Sequence, residues 1–191
     1  VAGDRLGIIT NGGGAGILAI DALERNGARL AALDDATLRT LGPLMPGGWS
    51  KANPVDIIGD AGPDRYRAAI SPVLHDPNVD ALLVMNCPTG TAEPRAFAQA
   101  VAESVSAARR EGNRKPVLSC WLGDGNAMQA RQAMEQAEIP LYTTPDNAVA
   151  GFGYLLAWQR ARASLTDRPA ATHAITRDIA RAQQILAAAP R

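Results

Sequence analysis

Apolar residues fall into two alternating rhythms along this chain. Short unbroken runs, "RLGIIT" (Arg5 to Thr10), "ARLAALD" (Ala28 to Asp34), "DALLVMN" (Asp80 to Asn86), "KPVLSCW" (Lys115 to Trp121) and "IPLYTT" (Ile139 to Thr144), have the continuous hydrophobicity of strands buried on both faces. Between them apolar positions recur every three or four residues with charge on the opposite side, the period of an amphipathic helix. Helices are predicted from the glycines after Thr10 to a stop at Asn26-Gly27, then over 35–45, about 63–74, 92–112 with Pro94 in the first turn, 123–138 and 145–165. The stretch Pro46 to Asp64 is dense in glycine and proline and reads as the longest irregular segment; long loops in compact domains are commonly functional.

Strand and helix alternate throughout, which predicts an α/β fold: an open parallel sheet with helices on both faces, flavodoxin-like, with strand order 2-1-3-4-5. Beyond "TDRPAAT" the tail "HAITRDIARAQQILAAA" reads as an amphipathic C-terminal linker helix outside the repeat. The expected division is therefore a domain over 1–165 and, over 166–191, a linker and helix toward a following domain. The chain opens at Val1 and closes at Arg191 after an alanine-rich run, and both ends read as cuts within a longer polypeptide.

A chain of 191 residues, 47% of them hydrophobic, can bury a well-packed core. Its 19 basic and 19 acidic side chains cancel, and there is no basic run, so the sequence points away from nucleic acid as a partner. No apolar stretch approaches the roughly 18–20 residues of a bilayer span, which points away from the membrane and toward a soluble, cytoplasmic protein. The two cysteines, Cys87 and Cys120, form neither a disulfide framework nor a metal spacing, and His75 and His173 are the only imidazoles.

Candidate chemistry collects where ligands bind in such sheets, at the carboxyl ends of the strands. "NGGGAG" (Asn11 to Gly16), "NCPTGT" (Asn86 to Thr91) and "WLGDGN" (Trp121 to Asn126) each end a strand and open a helix, so helix N-termini with unpaired N–H groups would face one crevice and suit a phosphate or carboxylate. Loops of this kind are also short and glycine-rich in any doubly wound fold, where they serve only as turns. A dinucleotide site is the competing reading: Gly14, Gly16 and Ala19 satisfy G-x-G-x-x-(G/A), and Asp34 stands where a ribose-binding acid would sit. Against it, Thr10 to Gly13 separate that fingerprint from the strand, and no second mononucleotide half follows. His75 and His173 read as structural, and both cysteines as small buried hydrophobes. Asn53, Asp56, Asp60 and Asp64 could suggest a magnesium site, but such residues among glycines more often form turns and caps, so no metal is expected.

The loop "IITNGGGAGILAIDALERNG" and above all "WSKANPVDIIGDA" resemble the NDP-forming acyl-CoA synthetases, which include ADP-forming acetate–CoA ligase and are related to succinyl-CoA synthetase. A T-N-(A/G)-G-G-x-G loop is paired there with a downstream N-P-V-D-(I/V/L)-x-G-D-A, followed here by "DALLVMNCPT" and "KPVLSCWLG"; the resemblance covers about Asp4 to Arg162. It implies one subdomain of a multidomain ligase that converts a small carboxylic acid, CoA and ATP into acyl-CoA, ADP and phosphate through an acyl phosphate and a phosphohistidine. CoA-binding and phosphohistidine-bearing parts and an ATP-grasp part would be its neighbours. CoA, ATP and magnesium would belong to the parent enzyme, with no cofactor bound by this chain alone. Carried over, Asn11, Gly12, Gly13, Gly14, Ala15 and Gly16 would hold the phosphoryl group, and Asn53, Asp56, Gly59, Asn86, Pro88, Thr89 and Gly123 would line the crevice. Neither histidine lies in a glycine-rich loop, so no catalytic residue is expected in this chain. Some relatives carry these domains fused to a protein acetyltransferase, which implies an alternative role as a regulatory acyl-CoA or ligand sensor.

Overall fold

The computed structural model describes residues 1–90, 92–166 and 178–188. Two compact units are present, Val1–Arg160 and Ala161–Arg191. The elements of the first are β1 (Arg5–Thr10), α1 (Gly13–Arg25), β2 (Arg29–Leu30), α2 (Asp35–Leu41), a 3-10 turn (Gly42–Leu44), β3 (Val55–Asp56), α3 (Pro63–His75), β4 (Ala81–Asn86), α4 (Pro94–Arg110), β5 (Val117–Trp121), α5 (Asp124–Gln136), β6 (Leu141–Tyr142) and most of α6 (Pro145–Thr166). The second unit holds the last turn of α6 and α7 (Ile179–Ala187), whose first turn is capped by the Asp178 carboxylate on the Arg181 N–H. Residues 167–177, with His173 and most of the "TDRPAAT" linker, lie outside the described residues, as do Thr91 and the last three positions.

All strand pairs are parallel, in the order β2-β1-β4-β5-β6, with β3 also beside β1. This is the expected 2-1-3-4-5 order with one short strand inserted, and the insertion corrects the reading of 46–64 as irregular. β4 is buried along its whole length, as its unbroken apolar run requires. Side chains alternate between two cores. Leu6, Ile8, Leu83, Met85, Leu118 and Cys120 face α1 and α6, whereas Ile9, Leu82, Val84, Val117 and Trp121 face α3, α4 and α5.

The segment 28–34, expected as one strand, pairs with β1 over only two residues. The cause is Asn53. Its side-chain amide accepts from the Ile8 N–H (2.9 Å) and donates to the Leu6 carbonyl (2.9 Å) and the Ala31 carbonyl (2.8 Å). It stands in for a strand residue on the edge of β1 between β2, which pairs at Arg5 and Leu6, and β3, which pairs at Ile9 and Thr10. The Asn53-Pro54 peptide is cis.

At the opposite end of the sheet Asp80 is held by Arg5. The guanidinium donates to its carboxylate at 2.8 and 2.9 Å, and the Arg5 N–H at 3.0 Å. These bonds hold the Asp80 carboxyl below its ordinary range, against the opposing effect of burial. Nearby, burial pushes the Lys115 ammonium down, and its Nζ donates to the Asp76 carbonyl at 2.6 Å.

Two measurements probe these constraints. Asn53→Ala leaves Ile8 N–H and the Leu6 and Ala31 carbonyls without this partner, so urea unfolding is expected to show a loss of about 3 kcal/mol or more. A carboxyl depressed in the folded state contributes stability that is complete above its unfolded pKa and lost as pH falls through the folded one. The stability gap between the wild type and Asp80→Asn is therefore expected to be full at neutral pH and to close below about pH 4.

Candidate functional site

The ends of β1, β3 and β4 meet at the glycine loop. Thr10 turns the chain: its hydroxyl accepts from the Gly12 N–H (3.0 Å) and donates to the Gly12 carbonyl (3.1 Å). Asn11, buried, reaches across to β4, accepting from the Cys87 N–H (2.7 Å) and donating to the Cys87 carbonyl (3.0 Å). The loop is thereby tied to both strands beneath it. Gly12 is the N-cap of α1 in an extended conformation (φ −141°), and its carbonyl accepts from Ala15 and Gly16.

No side chain caps α1 and no acidic residue lies in its first turn. Gly13 and Gly14 are exposed, and their N–H groups find no partner among the described residues. Two donors and the positive end of a 13-residue helix dipole thus face outward together. The glycines here differ in their reasons. A Cβ on Gly12 would fall on the Cys87 sulfur, and one on Gly13 would lie 2.8 Å from Asp56 Oδ2. At Gly16 it would press on Thr10 Cγ2 at 3.2 Å, while at Gly14 it would meet nothing. Ala15 is buried against the sheet.

Asp56, the last residue of β3, accepts the Ile58 N–H on Oδ1 (2.9 Å) and keeps Oδ2 against Gly13. The following turn puts Ile58 at φ 68°, a genuine outlier for a β-branched residue, of a kind that costs on the order of 1–3 kcal/mol. It brings Gly59 to the rim, where a Cβ would lie 3.7 Å from the Asn11 carbonyl. On the other side Pro88 lies beside Gly123, which takes φ 83° at the start of α5. The row Gly59, Asn11, Gly12, Cys87, Pro88, Gly123 is therefore continuous across the carboxyl ends of the strands, with Asp56 and Gly13 above it. Thr89 follows Pro88, half-buried.

Asn53 and Asn86 occupy other places than the open crevice. The Asn53 amide is wholly engaged on the sheet edge, as described above. Asn86 is buried: it donates to the Tyr66 hydroxyl (3.1 Å) and accepts from Asn126 (2.9 Å), and Tyr66 in turn donates to the Met85 carbonyl (3.0 Å). This network ties β4 to α3 and α5 from beneath. Nothing in the sequence marks Tyr66, one aromatic among the apolar positions of a helix, as its third member. Asp34 caps α2 by accepting the Ala36 N–H at 2.8 Å, the ordinary role of an aspartate at that position.

Both thiols are kept protonated. Burial, and then the Asp56 carboxylate, push Cys87 up; burial pushes Cys120 up to about 12. His75 contacts the Ser71 carbonyl through Nδ1 at 2.9 Å, far from the glycine loop in the chain's topology. Among the described residues no group of three His, Cys, Asp or Glu could hold a metal ion, and no helix is long and apolar enough to cross a membrane.

The sequence pattern of the Ligase-CoA domain family matches residues 6–166. The chain is 34% identical over 158 residues to the alpha subunit of ADP-forming acetate–CoA ligase II from Pyrococcus furiosus, covering 82% of this chain and 34% of that one. It is 33% identical over 155 residues to the ADP-forming acetate–CoA ligase of Methanocaldococcus jannaschii, covering 81% of this chain and 22% of that one. Among solved structures it is similar to the dinucleotide-forming acetyl-coenzyme A synthetase 1 of Ca. Korarchaeum cryptofilum, both apo and in complex with phosphate and ADP. The TM-score is 0.80 at 32% identity, over 88% of this chain and 36% of that one. The chain thus spans about a third of the Pyrococcus subunit and about a fifth of the Methanocaldococcus enzyme.

The loop geometry separates two substitutions only two positions apart. Gly12→Ala drives a methyl group onto the Cys87 sulfur and is expected to cost about 1–3 kcal/mol, part of which returns in the Gly12→Ala/Cys87→Ala double variant. Gly14→Ala, open to solvent at the start of a helix, is expected to be neutral or to stabilise by up to about 1 kcal/mol. Thermal unfolding of the wild type, Gly12→Ala, Cys87→Ala and the double variant completes the cycle, with Gly14→Ala measured beside them.

Proposed function

Because this chain belongs to the Ligase-CoA domain family, we propose that it is the phosphoryl-holding wall of an NDP-forming acid–CoA ligase, a part of a longer cytoplasmic enzyme. In that enzyme a small carboxylic acid, CoA and ATP yield acyl-CoA, ADP and phosphate through an acyl phosphate and a phosphohistidine carried by a neighbouring domain. CoA, ATP and magnesium are met by the CoA-binding and ATP-grasp parts, and residues 166–191 lead toward a following domain. The observation that carries this reading is the uncapped start of α1, where the Gly13 and Gly14 N–H groups have no partner among the described residues.

What this chain supplies is electrostatic and already in position. A phosphoryl group arriving at Gly13 and Gly14 receives two N–H donors fixed by the helix, with the dipole behind them. No reorganisation is needed at that moment, since Asn11 and Thr10 hold the loop in place. Asp56 sets a polarity beside them: a second negative group is disfavoured on that side, so the Oδ2 atom suits an N–H or O–H on whatever carries the phosphoryl group. Pro88, Thr89, Gly59 and Gly123 form the rim that the acyl substrate approaches, with the buried Asn86 supporting it from beneath. No residue of this chain acts as nucleophile, so the chain by itself is inert as a ligase.

The structure guides the choice of variant. Gly13→Val crowds Asp56, whereas Gly14→Val adds bulk beside the N–H pair without meeting any atom of the fold. In the complete parent enzyme Gly14→Val is expected to slow histidine phosphorylation from acetyl phosphate by roughly 10- to several-hundred-fold, the loss of one or two charge-assisted hydrogen bonds, with the melting temperature nearly unchanged. Unimpaired phosphorylation in both valine variants would reduce the glycines to a turn.

A further inference from the structure

Away from the glycine loop the surface carries several grooves. The one between α4 and α5 is walled by exposed polar side chains such as Arg95, Gln99 and Gln136, with Glu103 already bonded to Arg67. A second, at the amino ends of the strands, surrounds Arg5, Asp80 and Lys115, whose charges satisfy one another. A third, about 550 Å³, lies between α2 and the loop after the 3-10 turn, and its charges are unpaired.

Trp49, 7% exposed, lines this cleft together with Leu38 and Pro46, which makes its interior apolar. Gly42 and Gly47 contribute bare backbone: a Cβ at either position would meet no atom within 4 Å, so the slot beside the indole stays open. Arg39 and Lys51 stand on its rim with one acid, Asp35, and neither cation has a hydrogen bond or ion pair among the described residues. Lys51 is moreover held in a left-handed conformation, φ 52°. Ser50 fixes that turn, its hydroxyl engaging the Ala52 carbonyl (3.0 Å), the Pro54 carbonyl (2.6 Å) and the Asp56 N–H (3.1 Å). The backbone of this exposed lysine is thus held by the turn at the mouth of the cleft.

We propose that this cleft is a binding site for a small planar aromatic anion, its ring lying in the slot beside Trp49 and its carboxylate or phosphate between Arg39 and Lys51. The volume is that of an ordinary small-molecule site, and the net positive rim selects the sign of the ligand. Ring and anion act together: the apolar slot takes the ring and the cationic rim the anion, so a ligand that carries both binds more tightly than either alone. The site is independent of the ligase reading and stands or falls separately from it.

The test is titration of the full 191-residue chain, followed by the Trp49 indole N–H resonance, which is identified by its loss in Trp49→Phe. Benzoate and phenyl phosphate are the aromatic anions, and their relative affinities tell a carboxylate site from a phosphate site. Benzyl alcohol and inorganic phosphate supply the ring and the anion alone. Saturable shifts are expected with at least one aromatic anion, at lower concentration than with either control. Arg39→Ala and Lys51→Gly are each expected to weaken binding about 5-fold or more, glycine being at ease at a positive φ. Gly47→Leu, whose side chain enters open space, is expected to abolish binding while leaving the melting temperature intact. Absence of any saturable shift, an equal response to benzyl alcohol or to phosphate, or unchanged affinity in the three folded variants would overturn the proposal.

Discussion

The edge of β1 is the constraint on which this molecule turns. A central parallel strand must have its backbone groups satisfied on both sides, and on one side β4 does so without interruption from Leu6 to Thr10. The other side is assembled from three pieces: two residues of β2, the side chain of Asn53, and two residues of β3. Because a single amide bridges the gap, the chain after Asn53 is delivered to the upper end of β1 at a fixed height. Asp56 then comes to rest against Gly13, and Gly59 against the Asn11 carbonyl. Two sequence motifs, with Gly13 and Asp56 at their point of contact, are thereby held in one site by a side chain whose amide is fully engaged with backbone groups.

The same economy appears in how polar groups are distributed. Asn11 and Asn53 direct their amides at backbone, tying strand segments together, while Asn86 and Asn126 bond to one another and Asn86 also to the Tyr66 hydroxyl, tying β4 to α3 and α5. Hydrogen bonds of this kind rigidify what they surround and leave little for a ligand. Donors remain at the carboxyl end of the sheet in the first N–H groups of helices that no side chain caps, α1 behind Gly12 and α5 behind Gly123 among them. At the amino end the pattern is reversed, with Asp80 closed off by Arg5. Rigidity and vacancy are thus assigned to different residues of the same loops.

Much of this was legible in the sequence. Unbroken apolar runs located the long strands β1, β4 and β5, and the alternation with helical periods led to the parallel order, because each signal spans five or more residues. The glycines of 12–16 marked the loop, and the resemblance of "NPVDIIGDA" linked it to a second segment. β3 was hidden because two residues carry no period, and β2 shrank because its place along β1 is taken by a side chain. Asn53 and Asn86 have the residue type of crevice-lining groups, and only tertiary pairing shows that their amides are already engaged. The collision between Gly12 and the Cys87 sulfur likewise joins residues with no local signal in common.

The composite edge of β1 bears on how this sheet meets other proteins. β2 and β3 contribute two residues each on that flank, and β6, the last strand on the opposite flank, is also only two residues long. Sheets recruit a further strand, wanted or unwanted, through a long straight row of unpaired backbone groups. Here each flank breaks off after two residues, so growth of the sheet by strand addition is discouraged on both sides. Helix faces and loop ends are what the domain offers to a partner, a geometry that allows contact to be made and released without unzipping a ladder of hydrogen bonds.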